Sequence, residues 1–172
     1  MKIVLMGYMG SGKSTIGKQL AQSLKYPFVD LDEYIEVQEQ LSIKELFSQK
    51  GELYFRKKES FFLQKLLKEH QNLVLSLGGG TPCFAGNLEA LQQQGSVSVY
   101  LKSSIKVLTD RLFKEKDQRP LIAHVTEKGQ LEDFIRKHLF ERAFYYNQAN
   151  IIANTDNKSI SEIVSNLSEE VC

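Results

Sequence analysis

Cysteine is almost missing from this 172-residue chain, which holds only Cys83 and Cys172. Two cysteines so placed build neither a disulfide framework nor a metal knuckle. A strong charge of either sign is missing too. The formal net charge is +1, so no bulk field argues for nucleic acid or a membrane surface as a partner. No apolar run approaches the length of a bilayer span, and the N-terminus lacks the layout of a signal peptide. Asn157-Lys158-Ser159 and Asn166-Leu167-Ser168 match the glycosylation pattern, but nothing around them suggests secretion. Repeats and low-complexity linkers are absent as well. The expectation is a cytosolic, monomeric globular protein of one domain, long enough to bury a real core.

Arginine is the most telling scarcity. Arg56, Arg111, Arg119, Arg136 and Arg142 stand against seventeen lysines. A chain that keeps its surface soluble with lysine has little use for arginine except where a planar fork is wanted. Each arginine is therefore a candidate ligand contact, although a genomic bias would thin them out equally.

What is present begins at once. Residues 2–6 read as a buried strand, and Gly7-Tyr8-Met9-Gly10-Ser11-Gly12-Lys13-Ser14 follows it directly. The order strand, glycine loop, helix gives the pattern GxxxxGK[ST] its mechanism. Glycines let successive N–H groups turn inward toward phosphate oxygens, and the helix that follows adds the positive end of its dipole. Lys13 reaches β- and γ-phosphates in such a loop, and the Ser14 hydroxyl serves Mg²⁺. Gly10, Ser11, Gly12, Lys13, Ser14 and Thr15 are thus expected to cradle a nucleoside triphosphate. A dinucleotide-type glycine turn needs no Lys-Ser pair.

Apolar β-branched runs alternate with helical periodicity along the rest, the mark of a parallel sheet with helices on both faces. The pattern predicts strands over 2–6, 27–30, 73–77, 97–101 and 150–153. It predicts helices over 13–25, 32–39, 43–48, 52–69, 88–94, 104–115, 130–148 and 160–169. Ser42-x-x-Glu45 and Ser159-x-x-Glu162 look like capping boxes. The stretch 114–128 breaks the alternation: it is polar, holds Arg119-Pro120, and reads equally as a lid or as a loose surface loop. His70, His124 and His138 have no partner spacing and read as surface residues, while the Tyr and Phe residues read as core.

Three constellations stand beyond the phosphate loop. In Val29-Asp30-Leu31-Asp32 the two carboxylates share one side at the end of a strand, where ligands sit in open α/β sheets. The strand over 73–77 ends in glycine rather than Asp, so Asp30 is the best offer for the metal, directly or through a water. Asp32 is then free to hold or deprotonate an acceptor hydroxyl, although a helix N-cap fits it as well. Gly78-Gly79-Gly80 strips side chains from one patch of backbone, which suits a closely approaching ligand better than a plain turn. Glu52, Arg56 and Glu59 share a helical stripe, as surface ion pairs or as a fork held ready for a carboxylate. Arg142 borders the apolar stripe Leu131, Phe134, Ile135, Leu139, Phe140, and either turns inward or snorkels.

In order, these pieces are the phosphate loop, Asp30-x-Asp32, Gly51-Glu52-x-x-Phe55-Arg56-x-x-Glu59, the glycine triplet, Arg119-Pro120-Leu121 and a late Arg142. That order resembles the shikimate kinase family over essentially the whole chain. The resemblance implies a P-loop NTPase fold: three α/β/α layers, a five-stranded parallel sheet in the order 2-3-1-4-5, and a mobile lid at about 114–128. It implies transfer of the γ-phosphoryl group of ATP to the 3-hydroxyl of shikimate, with Mg²⁺ as cofactor and the two small molecules as the partners. It implies that Asp32 binds acceptor hydroxyls and is the base, that Arg56 and Arg142 grip the carboxylate, and that Gly78, Gly79 and Gly80 add backbone contacts. Residues from 32 to about 62 would form the substrate-binding region. Asp30 and Ser14 would serve the metal, Lys13 and Arg119 the transferring group, and Arg111 and Lys158 the adenine.

The chain departs from the family in two places. Arg142-Ala143-Phe144-Tyr145-Tyr146 has no proline where the family usually has Arg-x-Pro-Leu-Tyr, so its helix is expected to run on. The stretch 154–160 has Lys158 at a position where arginine is frequent, and lysine cannot stack as arginine does. Two other readings stay open beside the first: a P-loop kinase for a different sugar acid, and a nucleotide-binding switch without transfer chemistry.

Overall fold

Ile3, Val4, Leu5 and Met6 keep no exposed surface, which a strand attains only where both faces of its sheet are covered. In the computed structural model, which describes residues 1–84, 86–116 and 121–171, this strand is β1 (Lys2–Met6), at the centre of the sheet. After it come α1 (Lys13–Leu24), β2 (Phe28–Asp30), α2 (Leu31–Glu39), α3 (Ile43–Lys50) and α4 (Glu52–Glu69). Then follow β3 (Leu73–Ser76), a 3-10 turn (Thr81–Cys83), α5 (Asn87–Gln93), β4 (Val97–Lys102), α6 (Ile105–Glu115), α7 (Lys128–Tyr146), β5 (Ile151–Asn154) and α8 (Ile160–Val171). The five strands pair in parallel in the order β2-β3-β1-β4-β5, as the resemblance implies.

Alternation along the strands divides the core between the two faces. Val4 and Met6 of β1 and Leu73 and Leu75 of β3 join Leu31, Leu46, Leu63, Leu91 and Tyr146 on one side. Ile3 and Leu5 face the other way, against Ile16 and Leu20 of α1 and Ile163 and Leu167 of α8. Ser76 pairs in register with both Leu5 of β1 and Asp30 of β2, so three strands end level. The phosphate loop, Asp30 and the glycine triplet therefore open side by side at the carboxyl edge.

A third cluster packs Tyr8 with Leu108 and Leu112 of α6, Leu131 and Ile135 of α7, and Ile122 and Val125 from the connection between them. Of the two readings open for 114–128, it speaks against a loose surface loop over residues 121–125. Ile122 and Val125 are 0% and 5% exposed, and Lys116 Nζ donates to the Val125 carbonyl at 3.1 Å. Arg119 and Pro120 lie outside the described residues.

Other boundaries shift for identifiable reasons. The second helix starts at Leu31 because Asp30, not Asp32, caps it, accepting from the N–H groups of Asp32 and Glu33. Both capping boxes form, at Ser42 with Glu45 and at Ser159 with Glu162. Without the proline, α7 runs on to Tyr146. Phe140, assigned to the apolar stripe, is instead 86% exposed, and Phe144 is 73% exposed. They lie on the outward side of α7, since two residues along a helix turn the side chain almost to the opposite face. Among the histidines only His124 is exposed; His70 and His138 are half-buried and hydrogen-bonded. Among the described residues no helix is long and apolar enough to cross a membrane.

Candidate active site

The phosphate loop is built by backbone conformations that side chains resist. Gly10 and Gly12 sit at φ 79° and 91°, in the left-handed region. Gly12 caps α1 with no side chain to satisfy the first N–H groups, so those donors and the dipole remain available to an anion. Lys13 Nζ donates to the carbonyls of Gly7 at 2.9 Å and Tyr8 at 3.0 Å. The lysine thus lies folded along the loop it serves. The Ser11 hydroxyl is buried and has no hydrogen-bond partner among the described residues.

Ser14 Oγ donates to Asp30 Oδ2 at 2.8 Å, while Asp30 Oδ1 accepts the Asp32 N–H at 3.1 Å. Two hard oxygen donors thus meet at the foot of the loop, the donor set that suits Mg²⁺. Among the described residues no group of three or more His, Cys, Asp or Glu is arranged for a metal. A site of few protein ligands fits an ion that keeps several waters and phosphate oxygens.

With Asp30 engaged as cap, the Asp32 carboxylate turns over the glycine triplet. Burial pushes its pKa up to about 6, with the charges of Asp30 and Glu59 adding to the rise and Lys13 and Arg56 opposing it. Such a carboxyl changes protonation just below neutrality, which suits a general base.

The triplet is explained by what stands against it. A β-carbon on Gly78 would lie 2.9 Å from Asp32 Oδ1, one on Gly79 3.1 Å from Arg142 Nη1, and one on Gly80 2.5 Å from Arg56 Nη2. None of the three glycines has positive φ, so turn geometry does not demand them. What they share is close approach, and it comes from three side chains on α2, α7 and α4. Asp32, Arg56 and Arg142 are thereby brought together on three consecutive residues. Arg56 is fixed by Glu59, whose Oε2 accepts from Nη1 at 2.8 Å, and more loosely by Glu52 at 3.7 Å. Glu59 is 1% exposed, and its second oxygen accepts from Thr81 Oγ1 at 2.6 Å. A buried carboxylate holding both arginine and threonine is no surface ion pair. The Tyr146 hydroxyl donates to the Gly79 carbonyl at 2.6 Å and lies beside the Arg142 guanidinium.

A cavity of about 510 Å³ runs from this patch along the loop. Asp30, Asp32, Gly78 and Gly79 line one end, Gly10 to Thr15 the middle, and Arg111, Glu115, Thr155, Lys158 and Ile160 the other. Arg111 Nη1 donates to the Gly10 carbonyl at 3.0 Å, and Lys158 is exposed. Arg56, Gly80 and Arg142 stand outside that lining and join it through the triplet. Sequence reasoning missed Thr81, Thr155, Tyr8 and Tyr146. Tyr146 lies one helical turn beyond Arg142, the single signal that pointed to it.

Comparison with known proteins gives the same answer from three sides. A family model described as shikimate kinase matches residues 9–172. The chain is 51% identical over 166 residues to a shikimate kinase of Flavobacterium johnsoniae, covering 96% of each chain. The crystal structure of a shikimate kinase from Bacteroides thetaiotaomicron superimposes with a TM-score of 0.91 at 40% identity, covering 99% of this chain and 98% of that one. A shikimate kinase from Acinetobacter baumannii, solved in complex with shikimate, gives 0.87 at 31% identity over 99% and 92% of the two chains. The sheet order and the phosphate loop stand within the matched fold, and the chain belongs to the shikimate kinase family.

Proposed function

We propose that this chain transfers the γ-phosphoryl group of ATP to the 3-hydroxyl of shikimate, giving shikimate 3-phosphate and ADP. The observation that carries the reading is the seating of Asp32, Arg142 and Arg56 on Gly78, Gly79 and Gly80, beside the phosphate loop. Two guanidinium forks next to one raised-pKa carboxyl are what a small hydroxylated carboxylate requires.

Arg56 and Arg142 hold the acceptor's carboxylate, and the Gly79 backbone, with its neighbours Gly78 and Gly80, contacts the ring. Asp32 accepts the proton of the attacking hydroxyl. The bond from O3 to the γ-phosphorus forms as the bond to the β,γ-bridging oxygen breaks, and the electron pair leaves with ADP. Lys13 turns from its loop carbonyls to the β- and γ-phosphates, while the N–H groups from Gly10 to Thr15 take the remaining oxygens. Arg111 and Lys158 flank the base. Ser14 and Asp30 would hold Mg²⁺, directly or through a water, and the ion would supply charge neutralisation on the phosphates. Arg119, on the lid at about 114–128, completes the positive surround once both substrates are bound, which limits wasteful hydrolysis. The enzyme acts as a single-domain monomer in the cytoplasm, with residues from 32 to about 62 as its substrate-binding region.

An assay of ADP release with and without shikimate tests the reading. Release that depends on shikimate and Mg²⁺ supports it. Release driven by gluconate but not by shikimate would replace it with another sugar-acid kinase, and nucleotide binding with no acceptor-dependent release would leave only a switch.

A further inference from the structure

Tyr8 is the second residue of the phosphate loop, yet its side chain takes no part in the cavity. The ring is 1% exposed and sits in the cluster beneath the connection between α6 and α7. Its hydroxyl shares a 3.1 Å hydrogen bond with Nδ1 of His138. Its face stands 5.6 Å from the guanidinium carbon of Arg142, within cation–π range. His138 and Arg142 lie four residues apart, one above the other on the inner side of α7. One side chain of the loop therefore meets two successive turns of the helix that carries Arg142.

Arg142 needs such a holder. Arg56 is fixed by carboxylates, above all the buried Glu59. Among the described residues no carboxylate pairs with Arg142. Its neighbours are the ring of Tyr8, the hydroxyl of Tyr146 and the backbone of Gly79. An aromatic face attracts a cation through its quadrupole without cancelling the charge. A carboxylate in the same place would compete with the acceptor for the fork. An aromatic holder keeps the fork oriented and its charge unspent.

We infer that Tyr8 is a positioning residue for the acceptor: its ring holds the Arg142 guanidinium over Gly79, and its hydroxyl, through His138, steadies the turn of α7 beneath. The inference rests on the reading that Arg142 grips the acceptor's carboxylate. It makes Tyr8 the residue through which the nucleotide loop contributes to acceptor affinity without touching either substrate.

The test replaces Tyr8 in the full-length enzyme by Leu, by Phe and by a series of increasingly fluorinated phenylalanines, with KM for shikimate, KM for ATP and kcat measured for each. Tyr8→Leu raises KM for shikimate about tenfold and Tyr8→Phe restores most of it, while KM for ATP stays within about twofold. Each added fluorine weakens the ring's negative face, so log KM for shikimate climbs stepwise at constant thermal midpoint. In an Arg142→Ala background the series becomes flat. If Tyr8→Leu fails to fold, the fluorinated series decides alone. A flat series in the wild-type background, equal rises in both KM values, or an undiminished Tyr8→Leu effect beside Arg142→Ala would overturn the role. If Arg142→Ala by itself leaves KM for shikimate unchanged, the acceptor reading falls before that of Tyr8.

Discussion

The two ends of the cleft are built in different ways. At the glycine-triplet end, three side chains from three helices are held by partners within the protein. Asp32 follows the capped start of α2, Arg56 is clamped by a carboxylate that is itself buried, and Arg142 lies between two tyrosines. At the nucleotide end the backbone forms the site, and the cations rest on the loop's own oxygens. Lys13 leans on Gly7 and Tyr8, Arg111 on Gly10, and Lys158 is out in solvent. Under the proposed function, the first arrangement recognises the acceptor by side chains that their own partners hold in place. Under the same reading, the second meets a triphosphate with backbone N–H groups that its glycine conformations expose. On that reading, specificity lies where side chains are most thoroughly tied down.

The contrast can be broken most severely at the lysine. Lys13→Ala lowers kcat by roughly 10³-fold or more by removing charge from the transferring group, yet calorimetric affinity for shikimate stays unchanged. A comparable loss of shikimate affinity would mean that the two ends are not separable. Asp32→Asn costs about 10²- to 10⁴-fold in kcat, the range for loss of a general base. In the unaltered enzyme kcat rises as pH passes through about 6, and the asparagine variant loses that limb of its pH profile. The stability sign is opposite. A carboxyl whose folded pKa lies above its unfolded value of 3.8 favours the fold below that value, and the benefit is lost as pH climbs through about 6. Asp32→Asn is therefore more thermally stable than the parent at pH 7.5, by roughly 4 °C in a differential scan.

Arg56→Ala probes the acceptor end alone. It raises KM for shikimate about 100-fold with KM for ATP within about twofold, because a desolvated charge pair with the substrate is removed. It also strands Glu59, so the thermal midpoint falls, and Arg56→Ala combined with Glu59→Gln recovers part of that loss without recovering affinity. The mildest change is Lys158→Ala. An exposed side chain whose contact is screened by solvent shifts KM for ATP by about threefold at most, with no effect on shikimate.

Much of this division is legible along the chain. The cradle is contiguous, so its eight residues declare both their conformation and their ligand. The sheet is legible because its strands are apolar runs of the right length between helical periods. The strand order 2-3-1-4-5 follows from the family likeness, not from the periodicity. The acceptor end is harder, since its parts converge only in space. The triplet signals close approach, but whether backbone, ligand or side chain comes near is undetermined until α2, α4 and α7 are placed. Asp30 and Asp32 have the same side chain two residues apart, and only the helix start separates cap from base. Tyr8 and Tyr146 read correctly as core, yet their hydroxyl partners His138 and Gly79 lie far off in sequence. Phe140 and Phe144 mislead because α7 carries aromatic residues on both of its sides, so hydrophobicity alone cannot orient it.

One short loop is the common seat of groups delivered by three separate helices. A methyl group added to Gly78 or Gly80 would displace the Asp32 carboxylate or the Arg56 guanidinium, and one on Gly79 would crowd Arg142 at 3.1 Å. Three separate helices are thus tied to one another through the missing side chains of three neighbouring residues. Alanine placed at any one of them is expected to move one side chain and leave the backbone where it is, since none of the three needs a left-handed conformation.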